Sequence, residues 1–261
     1  MDEKTILKYA EYLNCAELEK RDVFRLTLEH PELTVEEGYQ IQRTIVELKK
    51  TAGEKVVGMK MGLTSEAKIK QMKVDNPIFG YLFGYMDMTE TGECAMSGLI
   101  HPRIEPEIAF IMGKDLEGRD LTIEQVMDAV EYVTVAMEIV DSRFENFNFK
   151  ITDVVADNSS SSRFVLSKAF KKPTSIALDK LGVTLSINGE VKGTGTGADV
   201  LDHPAKPVAI LAKMLAVYGE KIHAGQIILT GGITAAFALK AGDVATAKID
   251  ELGEVSLKMT V

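Results

Sequence analysis

The spacing of apolar residues changes character once along the chain. Through residue 52 it is helical. Thr34 and Glu37 stand at the spacing of a capping box, ahead of Tyr39, Ile41, Ile45, Val46 and Leu48 on one helical face, and Gly53 supplies a stop. From Lys55 onward short β-rich runs broken by glycine take over. Val56 to Gly62 is the first, Arg103 to Met112 a second and Tyr132 to Val140 a third. Between the last two, Thr122 and Gln125 predict a second capping box and a short helix through Val130. Farther on, Val183 to Asn188 and Glu190 to Lys192 flank Asn188-Gly189, a strong hairpin signal. His203-Pro204 opens a helix with Val208, Leu211, Leu215 and Tyr218 on one face and Gly219 at its end. The tail holds three strands: Gln226 to Thr230, Val244 to Ile249 and Glu254 to Val261. The short run Ser159 to Ser162 reads as a loop. The pattern predicts an α+β fold, with a helical N-terminal region over 1–53 and a mixed β body over 54–261.

Within the second run, period-two alternation puts Arg103, Glu105, Glu107 and Ala109 on one face and Ile104, Ile108 and Phe110 on the other. The apolar set is the core face. Taken alone, the polar set is either a solvated face or a ligand set. The third run bears on that choice, because Glu138 is the only charged residue between Tyr132 and Val140. Such a run is usually buried on both faces, and a lone buried carboxylate is costly unless it is paired or bound to metal. Three carboxylates on neighbouring strands would repel one another without a cation. An all-oxygen set favours a hard ion, Mg²⁺ or Mn²⁺ before Ca²⁺, and leaves about three of six octahedral positions for substrate and water. The competing reading of Glu138 is a structural ion pair with Arg103 or Arg143.

Other polar residues stand out in apolar surroundings. Lys60 lies within Val56-Val57-Gly58-Met59-Lys60-Met61-Gly62, and reads either as a desolvated amine or as a snorkelling surface lysine. Gly58 and Gly62 suggest close backbone approach. The Asp157-Asn158-Ser159-Ser160 stretch is either a plain polar turn or a source of donors to a substrate carboxylate. Thr230-Gly231-Gly232 ends a strand and offers bare backbone to a ligand. No lysine follows at the spacing of a phosphate loop, and serine-elbow, Cys–His and dinucleotide signatures are missing.

Composition narrows the partners. A net charge of -9 with no basic stripe excludes an ordinary nucleic-acid binder and argues against anionic membranes, while a bound cation would still admit an anionic substrate. Cys15 and Cys94 match neither a zinc spacing nor a disulfide framework. No run of about 18 apolar residues occurs and the first residues are no signal peptide, so the expected location is the cytoplasm. His30, His101, His203 and His223 are scattered, and structural roles are expected for them.

Five strings carry a resemblance: Val56-Val57-Gly58-Met59-Lys60-Met61-Gly62-Leu63-Thr64-Ser65, His101-Pro102-Arg103-Ile104-Glu105-Pro106-Glu107-Ile108, Glu138-Ile139-Val140-Asp141-Ser142-Arg143, Val155-Ala156-Asp157-Asn158-Ser159 and Leu229-Thr230-Gly231-Gly232. In this order they resemble the hydratase/decarboxylase branch of the fumarylacetoacetate hydrolase superfamily, over nearly the whole chain. The resemblance implies a mixed β-sandwich roll behind a small helical region, with Glu105, Glu107 and Glu138 as ligands to Mg²⁺ or Mn²⁺ and Lys60 as the family lysine. Asp141 to Phe149 and Thr230 to Ala236 look more like the decarboxylases than the hydratases.

That likeness implies a carbon–carbon lyase of catechol meta-cleavage, an aromatic-catabolic enzyme that decarboxylates 2-oxohex-3-enedioate to 2-hydroxypenta-2,4-dienoate. The alternatives are 2-hydroxypenta-2,4-dienoate hydration and a silent metal-binding partner subunit. On this reading Lys60, Arg103 and Asp157 are candidate catalytic residues, Arg103 either holding a carboxylate or bracing the ligands. Asn158, Ser160, Thr230 and Gly231 are candidates for binding the small 2-oxo diacid. The distal pocket is expected to be apolar or weakly polar, with Phe144, Phe147, Phe149 and Ile233 as candidates and no bidentate arginine clamp. A homo-oligomer is expected, and a complex with a hydratase is a further expectation.

Overall fold

Two β-sheets with helices at their margins make the architecture of the computed structural model, which describes residues 1–65, 77–174 and 176–261. Helices α1 (Glu3–Glu19) and α2 (Val35–Thr51) come first. Asp2 caps α1 by accepting from the Thr5 amide, and Thr34 with Glu37 closes the expected capping box on α2. Tyr9, Ala10 and Leu13 of α1 pack with Ile41 and Ile45 of α2 in a small core that also takes in Phe144 and Ala156. Tyr39 and Val46, on another side of α2, belong to the main core instead.

The first sheet has the order β2-β1-β9-β4-β5-β6: Ile78–Phe83, Val56–Gly62, Ile227–Leu229, Pro102–Met112, Val130–Asp141 and Ser161–Leu166. The short β10 (Phe237–Ala238) also pairs with β4. The second sheet, in the order β3-β12-β11-β7-β8, joins Glu93–Ala95, Gly253–Thr260, Val244–Ile249, Gly182–Ile187 and Glu190–Thr196. Asn188 and Gly189, both at positive φ (54° and 79°), turn β7 into β8 as the Asn-Gly pair predicts. Among the described residues, the α-helices α3 (Ile123–Ala129), α4 (Ile151–Ala156) and α5 (Ala205–Ala216) lie between strands. No helix among the described residues is long and apolar enough to cross a membrane.

Two features of the first sheet shape its polar face. Strands β4 and β5 pair antiparallel over nearly their full lengths, with Glu105 directly opposite Glu138. Like charges in that relation destabilise a sheet unless something neutralises them. The other edge of β4 is shared: β9 pairs with Ala109 to Ile111, β10 with Arg103 and Ile104. Between them the chain leaves strand geometry, tied to β4 by Thr230 N–H on the Ile108 carbonyl (3.3 Å) and Ile233 N–H on the Pro106 carbonyl (3.0 Å). The sheet is therefore interrupted beside Glu105 and Glu107.

The structure also corrects the expected elements. Strand β2 and helix α4 lie where none was foreseen, and Ser161 and Ser162, read as loop, open β6. Strand β2 is buried along its whole length and so shows no alternation.

Candidate metal centre

Strand alternation and the β4/β5 register bring Glu105, Glu107 and Glu138 to one point: a carboxylate oxygen from each lies within 4.8 Å of the others. Glu107 and Glu138 are completely buried and Glu105 is 7% exposed, which removes the solvated-face reading. Burial, followed by the charges of Glu138 and Glu105, drives the Glu107 carboxyl well above the ordinary carboxylate range. Burial likewise lifts Glu138 to about 7, against the pull of Lys60. Oε1 of Glu107 and Oε1 of Glu138 are buried and have no hydrogen-bond partner among the described residues. Buried acceptors left unpaired are costly, and a hard divalent cation with oxygen ligands would satisfy them and the repulsion together. The donor set fits such an ion.

Lys60, central in β1, is 3% exposed, so it does not snorkel. Its Nζ stands 3.0 Å from Glu138 Oε2 and donates to the Ser159 carbonyl at 3.3 Å. Burial pulls its pKa down, but Glu138, Glu105 and Glu107 outweigh burial and hold it above the ordinary lysine value. The partner of Glu138 is thus Lys60, and not Arg103 or Arg143.

The glycines after β9 allow the closest approach in the site. Gly231, at φ +116°, gives its N–H to Glu107 Oε2 at 2.6 Å, and a Cβ there would stand 2.0 Å from Thr64 Oγ1. A Cβ on Gly232 would stand 2.1 Å from Glu105 Oε2. The bare backbone therefore admits protein carboxylates. Gly232→Ala is expected to displace Glu105 and weaken divalent-cation binding by about tenfold or more, comparable to losing a supporting contact of a metal ligand. Calorimetric titration with Mg²⁺ checks this, with circular dichroism to establish that the fold is retained. Unchanged affinity would mean that Glu105 is not a ligand.

The polar turn after α4 has a different task from the one expected. Asp157 is 1% exposed and pairs with the guanidinium of Arg143, accepting from Nε and, at 3.3 Å, from the Arg143 amide. Burial raises the Asp157 carboxyl and Arg143 opposes it. Arg143 also donates through Nη1 to the carbonyls of Asp141 (2.9 Å) and Ser161 (3.0 Å), and through Nη2 to that of Asp157. Asn158 accepts from the Tyr81 amide at 2.8 Å and donates to its carbonyl at 2.9 Å. Ser160 Oγ lies 3.5 Å from Asp157 Oδ2. Asn158, Ser159 and Ser160 all adopt left-handed backbone, at φ 48°, 53° and 57°, a strain that persists only where surroundings enforce it. The enforcement has a visible product, the Ser159 carbonyl that holds Lys60. Gly80 admits the turn, since a Cβ there would lie 2.4 Å from the Asn158 carbonyl oxygen.

Among the sequence candidates, then, Lys60, Glu105, Glu107 and Glu138 converge, with Gly231 behind Glu107. Asp157, Asn158 and Ser160 spend their polar atoms on internal bonds, and Thr230 gives its hydroxyl to the Ile108 carbonyl at 2.8 Å. Arg103 is exposed and stacks over the Phe147 ring, 4.2 Å from its centroid. The sequence reading missed Gly80, named Arg143 only as a possible partner of Glu138, and took Gly232 as backbone offered to a ligand where it admits Glu105. Only the glycines carried a signal, as small residues in otherwise apolar strand contexts.

Comparison with known proteins supplies the family. The family model described as fumarylacetoacetate (FAA) hydrolase C-terminal matches residues 61–260. A 4-oxalocrotonate decarboxylase from Pseudomonas putida is 44% identical over 99% of this chain and 98% of its own. A 2-hydroxyhexa-2,4-dienoate hydratase from Comamonas testosteroni is 39% identical over 92% of each chain. The solved 4-oxalocrotonate decarboxylase from Pseudomonas putida G7, complexed with magnesium and adipate, superposes with a TM-score of 0.97 at 42% identity, covering 99% of this chain and 98% of that one.

Proposed function

This chain belongs to the fumarylacetoacetate hydrolase family, and we propose that within it the protein is a divalent-metal-dependent carboxy-lyase that converts 2-oxohex-3-enedioate to 2-hydroxypenta-2,4-dienoate and CO₂. The observation that carries the reading is the buried cluster of Glu105, Glu107 and Glu138, with oxygens on Glu107 and Glu138 that have no hydrogen-bond partner among the described residues and the Lys60 ammonium alongside. The decarboxylases at 42–44% identity over nearly the full chain support the choice of reaction.

The substrate carries its own electron sink. As the C5–C6 bond breaks, C6 leaves as CO₂ and its electron pair forms the C4–C5 double bond. The former C3–C4 double bond shifts to C2–C3, and charge collects on the C2 oxygen, which then takes one proton. Glu105, Glu107 and Glu138 would hold the cation, which when bound supplies Lewis-acid stabilisation of that oxygen. Lys60 Nζ holds a proton beside the same cluster and is the group that hydrogen-bonds the C2 oxygen or delivers its proton. The Ser159 carbonyl fixes where that ammonium stands, the Gly231 N–H fixes Glu107, and burial of Lys60 and Glu107 keeps bulk water from screening the charges. The intact set speaks against a silent subunit, which has no use for Lys60.

The purified protein with Mg²⁺ is expected to release CO₂ from 2-oxohex-3-enedioate, with the dienoate accumulating in the ultraviolet spectrum and adding water slowly or not at all. Formation of 4-hydroxy-2-oxopentanoate from the dienoate, without CO₂ from the diacid, would replace this reading with the hydratase.

A further inference from the structure

Building on the decarboxylase reading, we propose that Arg103 is the specificity residue for the second carboxylate of the substrate. It shares its strand face with Glu105 and Glu107 and lies one alternation step beyond Glu105. Two residues of strand span roughly 7 Å, and five carbon–carbon bonds of about 1.5 Å span roughly 6 Å when extended. A six-carbon diacid with its 2-oxo acid head at the three glutamates, lying along β4 toward residue 103, would therefore bring its far end within reach of this guanidinium.

Arg103 is exposed, where a ligand can meet it, and it forms no ion pair with a carboxylate among the described residues. Its guanidinium rests on the face of Phe147. That ring is itself held in place: Asn146 and Phe147 both adopt left-handed backbone (φ 54° each), and Phe149 and His101 stand about the ring at centroid distances of 6.0 and 5.9 Å. His101 is anchored in turn by Asp22, with Nε2 3.2 Å from its carboxylate. Strain kept at one place in a loop points to a purpose for the conformation. Here it seats an aromatic platform under a planar cation, which leaves the edge of the guanidinium for a carboxylate.

This arrangement gives a particular form to the expectation of an apolar or weakly polar distal pocket without a bidentate arginine clamp. Phe144 is fully buried in the core shared with α1 and α2 and lines nothing there, whereas Phe147 serves as the seat. A single exposed guanidinium grips less strongly than a buried bidentate clamp, and that suits the chemistry. The carboxylate loses its charge on becoming CO₂, so a tight grip would stabilise the ground state over the transition state. Arg103 accordingly acts on binding and selection more than on the bond-breaking step.

The test compares 2-oxohexanedioate with 2-oxohexanoate, equal in chain length and differing in the terminal carboxylate. Neither has the C3–C4 double bond that decarboxylation uses. Calorimetry on the Mg²⁺-loaded protein is expected to show the diacid bound about tenfold more tightly. Arg103→Met should erase that preference and leave monoacid affinity unchanged, while Arg103→Lys should keep part of it. A diacid preference that survives Arg103→Met overturns the proposal, as does equal loss of affinity for both ligands, which would make Arg103 a support of the ligand strand. If the wild type binds with the stated preference but releases no CO₂ from the unsaturated diacid, the decarboxylase reading falls and the assignment of Arg103 stands.

Discussion

Removing divalent cations is expected to abolish turnover, and Mg²⁺ or Mn²⁺ to restore it. The reason lies in the sheet itself. Glu105 and Glu138 are directly opposed across β4 and β5, Glu107 is two residues away on the same face, and all three are buried. Lys60 pairs with Glu138, while burial, followed by the charges of neighbouring carboxylates, raises the Glu107 and Glu138 carboxyls above the ordinary range, a cost that a bound cation would relieve. Glu107→Gln is expected to weaken Mg²⁺ binding by about tenfold or more, since loss of a ligand should at least equal loss of its support. It also removes the oxygen that accepts from Gly231 N–H.

The same cluster sets a pH dependence. For Glu107 and Glu138 the folded pKa lies above the unfolded value, so the metal-free native state binds more protons than the unfolded chain. Its stability must therefore fall as pH rises from the unfolded value through about 7 for Glu138. A cation that displaces those protons reverses the penalty, so metal affinity should rise with pH. The gap in Tm between Mg²⁺-loaded and metal-free protein should widen from pH 5 to pH 8. Full activity in protein shown to be metal-free, or a Tm gap that narrows with rising pH, would end the metal reading.

What the sequence could show depended on whether a residue's role left a mark on its own neighbourhood. Glu138 did, as a lone charge in an apolar run, and Glu105 and Glu107 did through alternation. Register then supplied what the sequence lacked, placing 105 opposite 138. Helix α2 and the β7–β8 turn were legible because capping boxes and Asn-Gly turns are local devices. Strand β2 was not, because an element buried on both faces has no periodicity to read. Asp157 and Asn158 looked like substrate donors because a polar turn reads alike whether its side chains face a ligand or the fold. Their partners, Arg143 and the Tyr81 backbone, are 14 and 77 residues away. Such contacts are products of topology and have no local signature.

Lys60→Ala should lower turnover of the Mg²⁺-loaded protein by roughly 10² or more, the range for a positioned acid or base. The competing account makes Lys60 only a counter-ion to Glu138, and the two separate in the metal-free protein. There the mutation leaves a buried carboxylate without its cation, and breaking such a pair costs on the order of 3–5 kcal/mol. The metal-free Tm should therefore fall whichever account holds. In the loaded protein a divalent cation takes over the neutralising role, so a pure counter-ion becomes dispensable and turnover would be near normal. Mg²⁺ affinity supplies the control. An ammonium 3.0 Å from Glu138 Oε2 opposes cation binding electrostatically, so Lys60→Ala should bind Mg²⁺ at least as tightly as the wild type. A loss of turnover together with undiminished metal affinity and an intact loaded fold assigns Lys60 to the reaction. Near-normal turnover in the loaded variant would confine it to balancing charge in the empty site.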